Sequence, residues 1–381
     1  MEKEIIVMSD LEMGAGTLTD DFISDNALAQ LMRSIGDKKH PVDLVFNGDT
    51  FNFMLCPIGA GGCETYPRHI DKEVSIAKLN RIARAHKKVF QSFHDFASLR
   101  KNRLFFIVGN HDPDLVFPEV QEALKNQIGG QKENIIFPGF HCDIEGVHME
   151  HGHQYDFLYK VNLEQLFFTH KKKNILNVPP TTFWLMTQIT DIKKQHPMYD
   201  RIMPRLMHYH KIVAARMLLK TSKYVAKLIF YYPIRYFKDP TYNCLSAVKI
   251  FFRQLKKAGL FDMWLMESAT EIYAKQLPQS NNQNGLSVLG HGHDKLIKKV
   301  GHHTIIQTGA WRDEYNLETT TMQMIPKSKN YVSIKVSNSG IRYELMEYPI
   351  TRSAINFDEA MKDETKHLYR AAEEEGYPLS L

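Results

Sequence analysis

The stretch that decides the fold of this chain is Val42-Asp43-Leu44-Val45-Phe46-Asn47-Gly48-Asp49-Thr50-Phe51-Asn52. Residues 42–47 form an apolar run typical of a buried central strand, and a carboxylate follows almost at once. The runs at residues 4–9 and 103–108 also end at a glycine or at a candidate ligand. In layered α/β proteins, ligands bind in the crevice at the carboxyl ends of such strands. The sequence therefore predicts buried strands that carry polar side chains to one edge of a sheet.

Seven side chains of the metal-ligand type follow strand-like runs along the chain. Any one of them, taken alone, is more often a cap or turn residue than a ligand. Carboxylate, amide and imidazole groups in a fixed order are much more specific, because together they form a set that divalent metals bind. The seven candidate metal ligands are Asp10, Glu12, Asp49, Asn110, His151, His291 and His293.

The motifs that contain these residues resemble those of the calcineurin-like metallophosphoesterases. The family pattern reads Asp-x-His, Gly-Asp-x-x-Asp/Asn, Gly-Asn-His-Asp/Glu, a lone His, and Gly-His-x-His. The combination of Gly-Asp-Thr-Phe-Asn, Gly-Asn-His-Asp and a His-Gly pair looks most like the UDP-2,3-diacylglucosamine hydrolase branch. The matching segments here are Ser9–Gly14, Gly48–Asn52, Gly109–Asp112, His151–His153 and Gly290–His293.

The resemblance implies an α/β (α+β) fold, a layered sandwich of two mixed β-sheets flanked by helices. Residues 1–156 and 286–350 would form this discontinuous core. Residues 157–285 are basic, rich in aromatic side chains and mostly helical in pattern, which indicates a helical insertion or cap. Residues 351–381 form a polar tail that we expect to be a solvated surface helix.

Patterning predicts further elements within the core. Helical spacing is present at residues 20–36 and 71–100, and strand-like runs are present at 144–150, 286–289 and 303–308. Residues 331–336 and 341–348 indicate a closing hairpin.

By resemblance, the site holds two divalent ions, and Asp49 bridges them. Two cations about 3.5–4 Å apart lower the pKa of a bridging water and clamp a phosphate for in-line attack. The expected activity is hydrolysis of a phosphoester or pyrophosphate bond by the metal-bridging hydroxide. Mn²⁺ is the favoured metal, with Mg²⁺, Fe and Zn²⁺ as alternatives. The first metal would take Asp10, Glu12, Asp49 and His293, and the second Asp49, Asn110, His151 and His291.

Five further residues receive roles from the same resemblance. His111 would stabilise the transition state or protonate the leaving group, and Asp112 would orient it. Asn52 would support the bridge, and His153 would contact substrate or a metal ligand. Arg312 follows the last core strand, where it would meet a phosphate or form a surface salt bridge.

Glu12 departs from the family pattern, which has histidine at this position. In one interpretation Glu12 binds metal as the histidine would, and the added negative oxygen favours Mn²⁺ or Mg²⁺ over Zn²⁺. In the other its side chain turns away, the first metal is weakly held, and the protein is slow or inactive.

The bulk composition limits the compartment and the partners. The chain has 381 residues and four cysteines without Cys-x-x-Cys spacing, and it shows no signal peptide or long apolar stretch. These features favour the cytoplasm, with peripheral membrane contact as an option. Residues 157–285 contain 20 lysines and arginines but only 7 acidic residues, in a chain whose net charge is +5. This surplus suits an anionic membrane or nucleic acid, although the same residues also suit simple packing of a cap.

Three functional hypotheses follow. The first is a metal-dependent phosphoesterase with a phosphate-containing substrate that is lipid-linked or nucleoside-diphosphate-linked. The second is a nuclease or nucleotide phosphodiesterase whose basic cap holds nucleic acid. The third, kept open by Glu12, is a catalytically weak binding protein with the same fold.

Overall fold

The computed structural model describes residues 3–59, 64–204, 211–243, 268–277, 285–338, 340–377 and 379. The strands are β1 (Lys3–Met8), β2 (Val42–Asn47), β3 (Arg103–Ile107), β4 (Ile135–Gly139), β5 (His141–Ile144), β6 (Val147–Glu150), β7 (Phe167–His170), β8 (Lys173–Leu176), β9 (Ile202–Met203), β10 (Leu286–Leu289), β11 (Lys295–Val300), β12 (His303–Thr308), β13 (Tyr315–Glu318), β14 (Gln323–Pro326), β15 (Lys329–Ser337), β16 (Gly340–Tyr348) and β17 (Ile355–Asn356). The α-helices are α1 (Asp25–Gly36), α2 (Lys72–Ala85), α3 (Lys87–Ala97), α4 (Pro118–Ile128), α5 (Pro180–Trp184), α6 (Thr190–Gln195), α7 (Lys211–Ala226), α8 (Tyr232–Tyr236), α9 (Ala269–Gln276), α10 (Phe357–Lys362) and α11 (Glu364–Glu374).

The first sheet has the strand order β16-β15-β1-β2-β3-β4. Strands β1 to β4 run parallel to one another, and the closing hairpin β15-β16 adds to β1 in antiparallel sense. The predictions for residues 42–47 and for the hairpin are confirmed. Because β1, β2 and β3 are parallel neighbours, their carboxyl ends meet at one edge of the sheet.

The second sheet has the order β11-β12-β10-β6-β5, with β6, β10 and β12 parallel. The strands predicted at 286–289 and 303–308 are confirmed. The single strand predicted over residues 144–150 is wrong, because Glu145 and Gly146 have positive φ values of 53° and 81°. This turn makes β5 and β6 an antiparallel hairpin.

The two sheets pack face to face around an apolar layer. Ile5, Val45 and Ile107 on the first sheet belong to the same buried cluster as Met149 and Val288 on the second. These side chains are fully buried, as expected for strands covered on both faces. The predicted layered α/β arrangement of mixed sheets flanked by helices is confirmed.

The other face of the first sheet is covered by α1 to α4. Residues 71–100 form two helices instead of the one predicted, with the break at His86 (φ −105°, ψ 42°). The buried ring of His86 lies between Asp25 Oδ1 at 2.8 Å and Asp20 Oδ2 at 3.0 Å. These two ion pairs stabilise a backbone turn that helical spacing alone does not predict.

The predicted cap is helical in part. Residues 167–176 form the hairpin β7-β8, so the helical prediction is wrong there. The helices α5 to α9 and two π-helical turns, Leu185–Ile189 and Lys227–Tyr231, follow it. Arg68 of the core anchors this segment, because its guanidinium stacks on the rings of Phe183 at 3.8 Å and Tyr242 at 4.2 Å. Residues 205–210, 244–267 and 278–284 of the predicted cap lie outside the described residues.

The tail is helical, as predicted, but it is not a simple solvated helix. Leu368, Ala371 and Ala372 of α11 are buried against the rest of the protein. Tyr377 stacks on His86 with ring centroids 4.9 Å apart and planes 6° apart. The apolar stripe of α11 explains the difference, since a stripe that packs on the core leaves only the opposite face in water.

Candidate metal centre

The seven predicted ligands meet at the edge where strands of both sheets end. Four of them have left-handed backbone conformations, which are rare for residues with a side chain. The φ angles are 54° for Asp10, 56° for Glu12, 51° for Asp49 and 64° for His291. Such strain persists only where the surrounding fold enforces it, and it concentrates at functional sites.

Asp49 lies at the centre of the cluster, and glycines make room for it. An added Cβ on Gly109 would lie 2.1 Å from Asp49 Oδ1, and one on Gly48 would lie 2.4 Å from the ring of His151. The backbone amide of His111 donates to Asp49 Oδ1 at 2.7 Å. The carboxylate is therefore held in one orientation by the loop that follows β3.

The imidazole of His151 is oriented for ligation. Its Nδ1 lies 3.0 Å from the carbonyl oxygen of Asn47. Because a carbonyl oxygen only accepts hydrogen bonds, Nδ1 carries the hydrogen and donates it. Nε2 then faces Asp49 Oδ2 at 3.0 Å and Asn110 Oδ1 at 3.1 Å. A histidine nitrogen that converges with two oxygens while the other nitrogen donates to a carbonyl is the usual arrangement of a metal ligand.

The two histidines of the Gly-His-Gly-His motif have carboxylate partners of their own. Glu314 Oε1 lies 2.7 Å from His293 Nδ1, and Asp156 Oδ2 lies 3.1 Å from His291 Nε2. His293 Nε2 consequently points toward Asp10 Oδ1 at 3.7 Å. Carboxylates in this position fix the ring orientation of metal-binding histidines and increase their basicity.

The surroundings of Asp10 fit a cation. Its Oδ2 accepts the backbone amide of His291 at 3.1 Å and the hydroxyl of Ser9. Its Oδ1 is buried and has no hydrogen-bond partner among the described residues. This oxygen lies 3.9 Å from His151 Nε2 as well as near His293. A buried carboxylate oxygen without a donor is costly, and a divalent cation between it and these imidazoles would satisfy it.

At this site, the described residues form two groups of potential ligands that share one member. Asp49, His151 and His291 offer atoms within 4.8 Å of one another, and so do Glu12, Asp49 and His111. The first group contains three of the four residues predicted for the second metal. The second group brings in His111, which was not predicted as a ligand, in place of Asp10 and His293. Asp49 belongs to both groups, as expected of a bridge.

Glu12 points into the cluster, but both of its oxygens already have protein partners. Arg312 Nη1 lies 2.9 Å from Glu12 Oε1, and Asn52 Nδ2 donates to Oε2 at 3.1 Å. Burial opposes the charged form, but the guanidinium of Arg312 and the imidazoles of His111 and His293 together outweigh it and lower the pKa of Glu12 to about 2. Of the two interpretations, the turned-away side chain does not match this structure. The carboxylate is in place, and the arginine would compete with a metal ion for it.

Arg312 is buried among carboxylates. Its Nη2 lies 2.9 Å from Asp200 Oδ2 and 3.2 Å from Asp21 Oδ1, and its Nε lies 3.6 Å from Glu314 Oε1. The predicted alternatives of a phosphate contact or a surface salt bridge fit this position poorly, because the side chain is only 4% exposed. Arg312 instead connects Glu12 with the cap through Asp200.

The predicted catalytic pair is separated in the structure. Asp112 accepts the backbone amides of Gly109 at 2.6 Å and Thr50 at 2.8 Å, so it ties two site loops together. The contact that orients the ring of His111 comes from Asn52, whose Oδ1 lies 3.2 Å from Nδ1. The role predicted for Asp112 therefore falls to Asn52.

His153 lies beside the cluster and is 1% exposed, with its ring centroid 5.4 Å from that of His151. Burial and then the neighbouring histidines hold its pKa well below the ordinary value. His153 was predicted to contact either substrate or a metal ligand. Its burial fits the second role better, with His151 as the candidate ligand that it contacts.

The site favours positive charge. Burial disfavours the charged form of His151, yet Asp49 and Asp10 outweigh it and raise the pKa of the imidazole to about 10. Burial, together with the charge of Asp49, raises the pKa of Asp112 to about 7. Both shifts have the same origin: several carboxylates share a buried space that a cation would neutralise.

Sequence reasoning missed four supporting residues: Asn47, Asp156, Asp200 and Glu314. Asp156 and Glu314 lie within five residues of predicted site residues, and an acidic side chain near a histidine motif is a weak signal for an orienting carboxylate. Asp200 has no such signal, since it belongs to the cap segment and reaches the site only through tertiary contact.

No protein-family model matches the chain, and no curated protein matches it. Several solved structures align with it at low similarity. A conserved uncharacterized protein from Streptococcus pneumoniae, described as a predicted phosphoesterase, shares 8% identity at a TM-score of 0.26, over 93% of this chain and 97% of that one. A candidate 5′-nucleotidase from Staphylococcus aureus shares 13% at 0.29, over 98% of this chain but only 58% of that one. Phosphopantetheinyl hydrolase from Mycobacterium tuberculosis shares 11% at 0.26, over 81% and 90%. TM-scores this low do not establish a shared fold or activity, so the function has to be argued from the site.

Among the described residues, no helix combines the length and apolar character needed to cross a membrane.

Proposed function

We propose that this protein is a divalent-metal-dependent phosphoesterase of the calcineurin-like class. The observation that carries the proposal is the position of Asp49, whose carboxylate belongs to two ligand groups at one edge of the sheet sandwich. Asp10 Oδ1, which accepts no hydrogen bond from the described part of the chain and lies beside two imidazoles, supports it. Within the class, the motif pattern favours the branch that resembles UDP-2,3-diacylglucosamine hydrolase.

The residues divide into holding and reacting groups. Asp49, Asn110, His151 and His291 would hold one ion, and Asp10, Glu12, Asp49 and His293 would hold a second. Divalent cations bound there, with Mn²⁺ as our choice, would neutralise phosphoryl charge and lower the pKa of an attacking water. Fixed partners keep these side chains oriented, so little reorganisation is required when substrate arrives.

His111 is the residue we assign to the leaving group. Its Nδ1 is engaged by Asn52 at 3.2 Å, so Nε2 is the nitrogen left to meet substrate. The side chain is 14% exposed, whereas that of His151 is fully buried. Imidazole donates a proton efficiently near neutral pH, which suits protonation of a departing oxygen.

The exposed surface of the cap supports a lipid-linked substrate. Leu218, Phe230, Ile234 and Phe237 are 69–89% exposed, and lysines and arginines lie between them in sequence. Aromatic and aliphatic side chains mixed with cations suit the boundary of an anionic membrane. We propose a cytoplasmic protein that meets such a surface peripherally, with residues 157–285 acting as the cap of a core formed by residues 1–156 and 286–350.

The decisive assay is hydrolysis of bis-p-nitrophenyl phosphate and p-nitrophenyl phosphate with Mn²⁺. Asp49→Asn keeps the size of the side chain but removes its charge, and Asp37→Asn makes the same change at the exposed position that follows α1. We expect activity to fall at least 100-fold in the first variant and to stay within twofold in the second. Equal activity in both would refute the proposal.

A second candidate is a phosphate-ligand binding protein with little turnover, favoured by the Glu12–Arg312 ion pair at 2.9 Å. Metal analysis separates the two, because competition by the guanidinium would leave one tightly bound ion per chain instead of two. In that case Glu12→His, which removes one of the four carboxylates around Arg312 and adds an imidazole, should increase the Mn²⁺ content. A nuclease would instead bind oligonucleotides in a salt-sensitive way.

A further inference from the structure

A separate group of metal-ligand side chains, which shares no residue with the candidate metal centre, lies where the cap meets the core. His69 precedes α2, His170 ends β7, and Asp239 follows α8. Each offers one atom, and these atoms all lie within 4.8 Å of one another. Two imidazoles and a carboxylate from segments as far as 170 residues apart therefore converge on one small volume.

We propose that His69, His170 and Asp239 bind one transition-metal ion of the Zn²⁺ class, and that this ion fastens the cap to the core. The carboxylate is already oriented for the role. Asp239 Oδ1 accepts the backbone amide of Thr241 at 3.0 Å and its hydroxyl at 2.7 Å. Oδ2 is thereby directed at His69 Nε2, 2.7 Å away. Hydrogen bonds of this kind from outside a site fix the ligands of protein-bound metals.

The distances require only a small adjustment. In a tetrahedral site with bonds of about 2.0 Å, neighbouring ligand atoms lie roughly 3.3 Å apart, so the His69–Asp239 pair must open by about 0.6 Å. The His69 side chain is 43% exposed and can move outward into solvent. The rings of His69 and His170 have centroids 5.0 Å apart and planes tilted by 32°, so both stay beside the same carboxylate.

Charge and ligand type determine which metal fits. Asp239 accepts hydrogen bonds from Thr241 and from the ring of His69, and such bonds favour the charged carboxylate. The residue is therefore an anion at neutral pH. Lys171 and Lys172 adjoin His170 in sequence and disfavour a cation held by charge alone. The bonds from two imidazole nitrogens offset this repulsion for transition metals such as Zn²⁺, which bind nitrogen well. Mg²⁺ and Ca²⁺ prefer oxygen ligands and are therefore poor occupants of this site.

The test uses the full chain carrying Asp49→Asn, so that the candidate metal centre is weakened equally in every protein compared. Zn²⁺ binding is measured by equilibrium dialysis and elemental analysis for this parent, for His170→Gln, and for the exposed His302→Gln as the matched control. We expect His170→Gln to bind Zn²⁺ at least tenfold more weakly at one site and His302→Gln to match the parent.

His170→Gln separates a metal site from a plain hydrogen bond, because the His69–Asp239 contact does not involve His170. Melting curves without metal should coincide for parent and variant, which shows that both are folded. Zn²⁺ should also slow tryptic cleavage within the cap of the parent and of His302→Gln, but not of His170→Gln. Equal Zn²⁺ affinity and stoichiometry in parent and His170→Gln would overturn the site, and unchanged cleavage of the parent would overturn the fastening. Neither readout depends on phosphoesterase activity.

Discussion

A single methyl group on Gly109 would test the central position of Asp49. The added Cβ of Gly109→Ala would lie 2.1 Å from Asp49 Oδ1 and 2.4 Å from its backbone nitrogen. Cβ atoms essentially never approach other heavy atoms closer than 3.0 Å, so the carboxylate or the loop must move by about 1 Å. Gly109 does not have a positive φ, so the perturbation is one of space and not of backbone strain.

The expected effect follows from how narrowly ligands must be placed. Metal–ligand distances tolerate deviations of about 0.2 Å, and a misplacement of about 1 Å at a reacting centre costs roughly 100-fold in rate. Because Asp49 belongs to both ligand groups, Gly109→Ala should weaken both. We expect kcat/KM for bis-p-nitrophenyl phosphate with Mn²⁺ to fall about 100-fold, with lower Mn²⁺ content by elemental analysis. Crowding should also lower the free energy of unfolding by about 1–3 kcal/mol.

Gly36→Ala is the matched control, because it makes the same change where an added Cβ would lie 3.4 Å from Leu99 Cδ1. Its activity and metal content should equal those of the unmodified protein. If Gly109→Ala kept full activity and metal content, Asp49 Oδ1 would not be needed at its present position, and the two-group arrangement would be wrong.

Two further predictions concern buried charges. Arg312→Gln leaves the buried carboxylate of Glu12 without its guanidinium partner, whereas Asp21 keeps its ion pair with Lys193. The free energy of unfolding in chelator, measured by urea titration, should therefore fall by roughly 3–5 kcal/mol. A loss below about 1 kcal/mol would contradict a compensating role for Arg312. Asp25 and Asp20 outweigh the effect of burial and raise the pKa of His86 from 6.5 to about 10, so its contribution is fully present below pH 6.5 and is lost as the pH rises through about 10. It amounts to at most about 5 kcal/mol. The stability of His86→Asn should therefore fall less between pH 6.5 and 10 than that of the unmodified protein, and parallel pH profiles would disprove this linkage.

Part of the fold follows directly from local patterns. Strands β2, β10 and β12 and the closing hairpin lie where apolar runs and turn residues predict them. The polar residues after these strands reach one edge because parallel neighbours end together. The break at His86 and the turn at Gly146 were not predicted. In the first case the reason is tertiary, since two carboxylates distant in sequence stabilise a ring that helical spacing would leave within a helix.

The candidate site shows the same division. Its residue types and their order were available from the sequence, because each motif is a short local signal. The grouping of His111 with Glu12 and Asp49, and the passage of the orienting role from Asp112 to Asn52, required the structure.

The sequence by itself determined which strands exist, which polar side chains follow them, and therefore what kind of chemistry one edge of the molecule offers. Only the tertiary structure decided which charges pair. Glu12 and Arg312 are 300 residues apart, and the cap supplies Asp200 to the same guanidinium. From the sequence alone, any of the many carboxylates in the chain could be the partner of a given arginine. Folding selects among them, because burial makes an unpaired charge costly and leaves only those partners that the packing brings within reach.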